Sequence, residues 1–303
     1  MMNKMKHILL FLPVAMLLAA CTQNELTDNG QGTPLPEPIP LQLTATGLQA
    51  VAIPAHASTR GTYDGDWKGV QTVKVYIHPN SKDYEVSPLK EDSKKAELIC
   101  GLHPADHMFW WNYQQEEKNV LAWAPSDYVL NDPISLPTKW TKDEFAKYDI
   151  IGMVKTISFE ERNDPVEFKH LMAKAVINIK KSPYLENSKL AVKMCNLINS
   201  GKLTGNSIPP QKNYLEITTG TEVADAVVTP YELESPKDPA TNFATYEALV
   251  IPQTIAGLDS KIEIKVNDKT TYVWSISFSG NTFAAGNEYT FNITVDAKGL
   301  GCL

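Results

Sequence analysis

Cys100, His103, Asp106 and His107 stand together in "CGLHPADH", and they are the side chains of this chain best suited to chemistry. A thiolate, a carboxylate and two imidazoles at such spacing could ligate zinc, and Pro104 favours a turn that would gather them. No second ligand pair with matching spacing follows, so the group reads as a polar turn and no metal is assigned. The chain also has no Gly-x-Ser-x-Gly, no His-Glu-x-x-His, no phosphate-cradling glycine loop and no Cys-x-x-Cys. No catalytic residue is assigned, no cofactor is implied, and the chain does not read as an enzyme.

One aromatic group invites binding chemistry instead. Phe109, Trp110 and Trp111 offer flat faces that stack on pyranose rings, with Glu116 and Glu117 close behind. Strand alternation puts Trp110 and Trp111 on opposite faces, so at most one of them faces solvent. His170, beside Phe168 and Leu171, reads as a buried imidazole hydrogen-bonded to backbone. A net charge of −7 without a basic cluster excludes nucleic acid as a partner.

The first residues govern where the chain works. Lys4 and Lys6 precede an apolar run from Ile8 to Ala20 interrupted by Pro13, which is too short for a spanning helix and has the pattern of a secretory signal. Ala19, Ala20 and Cys21 resemble the lipobox of bacterial lipoproteins. That likeness implies a signal peptide over residues 1–20, acylation at Cys21 and a membrane anchor through lipid. Residues 21–38, with Pro34, Pro36, Pro38 and Pro40 at alternate positions near their end, read as a solvated tether. Beyond Cys21 the chain has Cys100, Cys195 and Cys302; three cannot all pair, and spacing selects no pair.

Past the tether the hydrophobic period is two. Ile39, Leu41, Leu43 and Ala45 alternate with polar neighbours as a half-buried strand over residues 39–46. Further strands follow over residues 70–77, 119–124 and 149–154, each bounded by turn residues, and only residues 141–149 carry a helical turn, with Thr141 as N-cap. A second set begins at Val166 and ends in a strand whose Tyr289, Phe291, Ile293 and Val295 share one face. The 303 residues thus divide into a first β-sandwich over 39–163 and a second over 164–303, separated by "EERNDP".

The order of these segments carries a likeness of its own. Trp67 before "VKVYI", then "FWW" and "VLAWAP", "YDIIG", "FKHLMAKAVINI", "SGKLTG", "ALVIPQ" and "FAAGNEYTFNITVDAKGL" together resemble the fimbrillin-like family, the type V pilins, across roughly residues 60 to 300. The resemblance implies an all-β chain of two tandem transthyretin-like Greek-key sandwiches, exported to the outer membrane as a lipoprotein. It further implies release by an arginine-specific protease and polymerisation with other subunits into a surface fimbrium used in adhesion. Arg60, followed by Gly61, is the cleavage site by that likeness; the bland alternative is a solvated loop arginine.

Cutting there would free the strand bearing Ile39, Leu41, Leu43 and Ala45 and leave a groove that a strand of another subunit could fill. The family's donor is the partner's C-terminal segment. Here either the strand bearing Tyr289, Phe291, Ile293 and Val295 swings out, or the subunit accepts a strand and donates none. A second function stays open: a permanently anchored surface lipoprotein that binds a glycan or a host protein.

Overall fold

Short β-branched and aromatic runs punctuated by Pro, Gly, Asn and Asp fold as strands along nearly the whole chain. The computed structural model describes residues 32–48, 51–52, 67–99, 108–220, 226–297 and 299–302. Its first strands are β1 (Pro34–Pro40), β2 (Leu43–Gly47), β3 (Val51–Ala52), β4 (Thr72–Ile77), β5 (Asn80–Pro88), β6 (Ala96–Ile99), β7 (Trp110–Tyr113), β8 (Glu117–Ala124) and β9 (Pro133–Ser135). Helix α1 (Lys142–Tyr148) precedes β10 (Ile151–Ser158), β11 (Val166–His170), β12 (Ala173–Lys180) and β13 (Leu190–Cys195). Next come β14 (Ser200–Asn206), β15 (Tyr214–Thr219), β16 (Tyr231–Glu232), β17 (Asn242–Val250) and β18 (Gln253–Thr254). The last are β19 (Lys261–Val266), β20 (Thr270–Ser275), β21 (Thr282–Phe283), β22 (Asn287–Asp296) and β23 (Gly299–Cys302).

In the first half, hydrogen bonds run round a closed ring in the order β10, β11, β2, β6, β5, β4, β8, with β8 returning to β10. Alternate side chains of these strands point inward: Val73 and Val75 from β4, Leu98 from β6, Val120 and Ala122 from β8, Phe168 from β11. Trp67 caps this core, its ring edge-on to Phe168 at 5.1 Å. The division expected at residues 163–164 needs correction. β11 hydrogen-bonds to both β10 and β2, and Val166 and Phe168 lie in the first core, so the strand after residue 164 still belongs to the first ring. The polar "EERNDP" is a turn within the ring, stopped by Asp164 donating to the Glu161 carbonyl at 2.9 Å.

The second half is built on β12, buried at seven of its eight positions. β17 pairs with it antiparallel and β22 parallel, β16 extends the sheet beyond β17, and β23 and β3 lie beyond β22. The strand sets β13-β19-β20 and β15-β14-β9 supply Val192, Ile262, Ile264, Leu203 and Ile217 to the same core. Residues of the first half reach into it too: Leu121, Trp123, Ile134 and Trp140 belong to this second core. Helix α1 starts where its cap chemistry directs, the Thr141 hydroxyl accepting from the Glu144 N–H at 3.4 Å, and its Phe145 packs on Trp140 with ring centroids 5.0 Å apart.

The outer face of this central sheet is not simply wet. Thr245 of β17 donates to the Asn178 side chain of β12 at 2.8 Å, and Asn178 donates to Asn292 of β22 at 3.1 Å, a polar row across three strands. At the other end of the sheet Lys174, fully buried, lies 3.0 Å from the Glu247 carboxylate and 3.8 Å from that of Glu288, while Lys237 reaches Glu247 at 2.7 Å. Two cations face two carboxylates, so the charges balance without solvent. Cys195, closing β13, is buried and free, and burial pushes its thiol above the usual range, with Glu263 adding to the effect.

Two outcomes follow from these buried groups. Lys174→Met leaves two carboxylates with one ammonium and is expected to lower the unfolding free energy by about 3–5 kcal/mol in a urea titration, whereas Lys237→Met, at the partly exposed edge, costs less. A raised thiol pKa means less thiolate at a given pH. Maleimide labelling of Cys195 at pH 8 is therefore expected to be slow in the native protein and to accelerate sharply in denaturant.

Candidate functional site

Prolines at every second position define the first strand of the candidate site. β1 runs antiparallel to β7, with Ile39 opposite Trp111 and Pro40 opposite Trp110, and a bulge between Pro34 and Ile39. At its two ends the inward hydrogen bonds use odd-numbered residues: Gln114 donates to the Thr33 carbonyl at 2.9 Å, and Leu41 donates to the Phe109 carbonyl at 2.8 Å. None of the four prolines has an N–H to offer another strand, a composition suited to an edge. The last residues of the expected tether, from Pro34 to Pro38, lie within β1, most of them exposed, with Pro34 paired to Tyr113.

The strand expected over residues 39–46 is two strands with a break at Leu41 and Gln42. Leu41, Leu43 and Ala45 are fully or almost fully buried in the first core, but Ile39 is 36 % exposed, because it belongs to β1 on the far side of the break. β2 is hydrogen-bonded on both edges, antiparallel to β6 and parallel to β11. The Thr46 hydroxyl adds a bond to the Val166 carbonyl at 3.2 Å.

β2 ends against β11 in a turn that only particular residues permit. Gly47 has φ +97°, and a Cβ there would lie 2.3 Å from the Phe168 carbonyl oxygen. Leu48 follows at φ 71°, a left-handed conformation that costs a leucine of order 1–3 kcal/mol. Three contacts hold it there: complete burial of its side chain, donation from its N–H to the Phe168 carbonyl at 3.2 Å, and a hydrogen bond of its own carbonyl with His170 Nε2 at 3.3 Å. The other nitrogen of that ring, Nδ1, is 2.9 Å from Asp149 Oδ1, and both side chains are buried. His170 is thus bonded to backbone as the sequence suggested. Its carboxylate partner, at the start of a strand in sequence, gave no sign of itself.

Past Leu48 the chain leaves the ring and joins the second half. Val51 and Ala52 pair in parallel with Asn287 and Glu288 of β22. One continuous stretch is therefore laid successively against β7, between β6 and β11, and along β22. This crossing was not visible in the sequence, since a two-residue strand has no period to detect.

The candidate donor residues lie elsewhere than at a free edge. Tyr289, Phe291, Ile293 and Val295 are all buried, and β22 is in register with β12 from Glu288 to Ile293. Tyr289 is pinned twice more, its hydroxyl donating to the Thr282 carbonyl at 2.7 Å and accepting from the Ala284 N–H at 2.8 Å. Among the described residues β23 pairs with β22 alone, from Ile293 to Asp296. On that side of β22, among the described residues, no strand pairs with the stretch between β3 and β23. Trp111 is fully buried and Trp110 half-buried, in accord with their alternation. Cys21, the Arg60–Gly61 bond and the group Cys100, His103, Asp106 and His107 lie outside the described residues.

Comparison with known proteins agrees with this architecture. No curated protein matches the chain. Among solved structures, a candidate cell adhesion protein from Bacteroides uniformis ATCC 8492 superposes with a TM-score of 0.61 at 13% identity, covering 89% of this chain and 96% of that one. Another from Bacteroides ovatus ATCC 8483 gives a TM-score of 0.58 at 13% identity, with 88% and 95% covered. A third, from Bacteroides fragilis NCTC 9343, gives 0.50 at 10% identity, with 88% and 97% covered. At such identities the likeness is one of fold. The fimbrillin-like family matches residues 59–301, most of the chain, and the protein belongs to that family.

Proposed function

We propose that this chain is the precursor of a cell-surface fimbrial subunit, built as two tandem transthyretin-like Greek-key sandwiches. In this reading it is exported as a lipoprotein acylated at Cys21 and cut after Arg60 by an arginine-specific protease. A strand of a neighbouring subunit then takes the place of the segment removed. The observation that carries the reading is the seat of β2, whose two ladders and three buried side chains, Leu43, Ala45 and the neighbouring Leu41, sit inside the ring. Removing it would open both ladders and empty part of a core, and the vacancy has the shape and backbone polarity of a strand.

The same logic bears on the donor. Withdrawing β22 would break its ladder with β12 and strip Tyr289, Phe291, Ile293 and Val295 from the second core. Withdrawing β23 opens one short ladder. Exchange that involves this end of the chain therefore starts with β23, and β22 stays as a wall of the groove.

Two experiments test the reading. N-terminal sequencing of surface-sheared polymer is expected to begin at Gly61, and Arg60→Ala to leave uncut lipid-bearing monomer without detergent-resistant ladders; ladders of uncut chains would overturn it. In the isolated precursor, Asp149→Ala leaves His170 Nδ1 without its buried carboxylate. It is expected to lower stability by about 1–3 kcal/mol and to speed amide exchange at Leu48 more than at β12.

A further inference from the structure

Beside β1 and β7 a cleft of ≈ 750 Å³ opens, within the size range of small-ligand sites. Phe109 and Trp110, both half-buried, are its aromatic lining, Phe109 packing on the first core. Asn80 and Asn112, both exposed, supply amides, and Lys82, Lys118 and Glu37 bring charge, Lys118 being ion-paired with Glu116. We propose that this cleft binds a neutral hexose oligosaccharide.

The wall that carries the aromatic faces is rigid. Trp111, next in the strand, is fully buried, edge-on to Phe159 at 5.9 Å, with the Lys118 ammonium 5.0 Å from its ring centroid. The turn after β7 is tied by Glu116, which accepts from the Asn112 N–H at 2.8 Å and forms an ion pair with Lys118. Trp110 is therefore fixed by a buried neighbour on one side and a hydrogen-bonded turn on the other. Lys82 lies 5.4 Å from the Phe109 ring centroid, so that ring is braced as well.

The chemistry of the lining selects the ligand. A pyranose has an apolar C–H face for an aromatic ring and a rim of hydroxyls that both donate and accept. Asparagine amides match that rim because each also donates and accepts. With Lys118 neutralised by Glu116, the remaining charges at Lys82 and Glu37 are of opposite sign and give an acidic sugar no net attraction. An apolar peptide would offer these amides no new hydrogen bond.

The inference is independent of the proposed strand exchange, since it concerns the precursor as it stands. Isothermal titration of the full chain with mannohexaose, laminarihexaose and maltohexaose, and with tetragalacturonate as the acidic comparator, tests it. At least one neutral hexamer is expected to bind, and Trp110→Ala to abolish the binding. Because Trp110 is half-buried, that variant is paired with the exposed double variant Asn80→Ala/Asn112→Ala, expected to weaken binding at least about tenfold with an unchanged melting temperature. Failure of all three neutral hexamers at millimolar concentration overturns the inference. So does binding of tetragalacturonate alone, or binding that survives the double variant.

Discussion

A strand bonded on both edges cannot be removed without leaving two rows of backbone donors and acceptors unmade, and β2 is such a strand. Its place between β6 and β11 closes the ring, and Leu43 and Ala45 fill the core beneath it, so the same few residues complete the backbone ladder and the packing. Buried backbone groups without partners are among the most costly defects a protein can carry. Every later feature of the N-terminal stretch can be understood as fixing this one strand in its seat. β1 ties its leading end to β7, and the turn at Gly47 and Leu48 docks its trailing end on Phe168 and His170.

Among the described residues, the stretch that crosses to the second half meets its sheet only through β3. β3 makes two pairings with β22, whereas β12 and β17 hold the sheet with long registers and a balanced group of buried charges. The polar row Thr245, Asn178 and Asn292 fixes the register of three strands at once, because an offset of one residue would bury each amide without its partner. The N-terminal stretch thus contributes unequally: it completes the first core, and it only borders the second.

How much of this the residues announced depends on the length of each pattern. Tyr289, Phe291, Ile293 and Val295 alternate over seven residues, and they are buried together as the period requires. Thr141 with Glu144 three residues on marked the start of the helix. The break at Leu41 and Gln42 escaped notice because Ile39 keeps the alternation going across it, and period alone does not show that the strand changes partner. Alternating prolines read as a solvated stalk, and most of β1 is indeed exposed, but its pairing with β7 is a tertiary contact that no local spacing encodes. His170 was legible as buried, but Asp149 became its partner through a tertiary contact 21 residues away, which no local spacing encodes.

Covalent continuity explains how such a strand could be both firmly seated and exchangeable. While the N-terminal stretch belongs to the chain, its return to the groove is intramolecular, at an effective concentration that reaches the millimolar range for short flexible connections. A strand from another molecule, at far lower concentration, loses that competition even if its contacts are somewhat better. Once the connection is cut, the seated segment is an ordinary ligand of the groove, held by its contacts alone, and any dissociation is diluted away. The strain at Leu48, of order 1–3 kcal/mol, favours departure in that state, since a replacement strand need not reproduce a left-handed leucine. In the proposed reading, cleavage would act as the switch without altering a single contact: it would remove the concentration advantage of the resident strand and leave the choice of occupant to affinity.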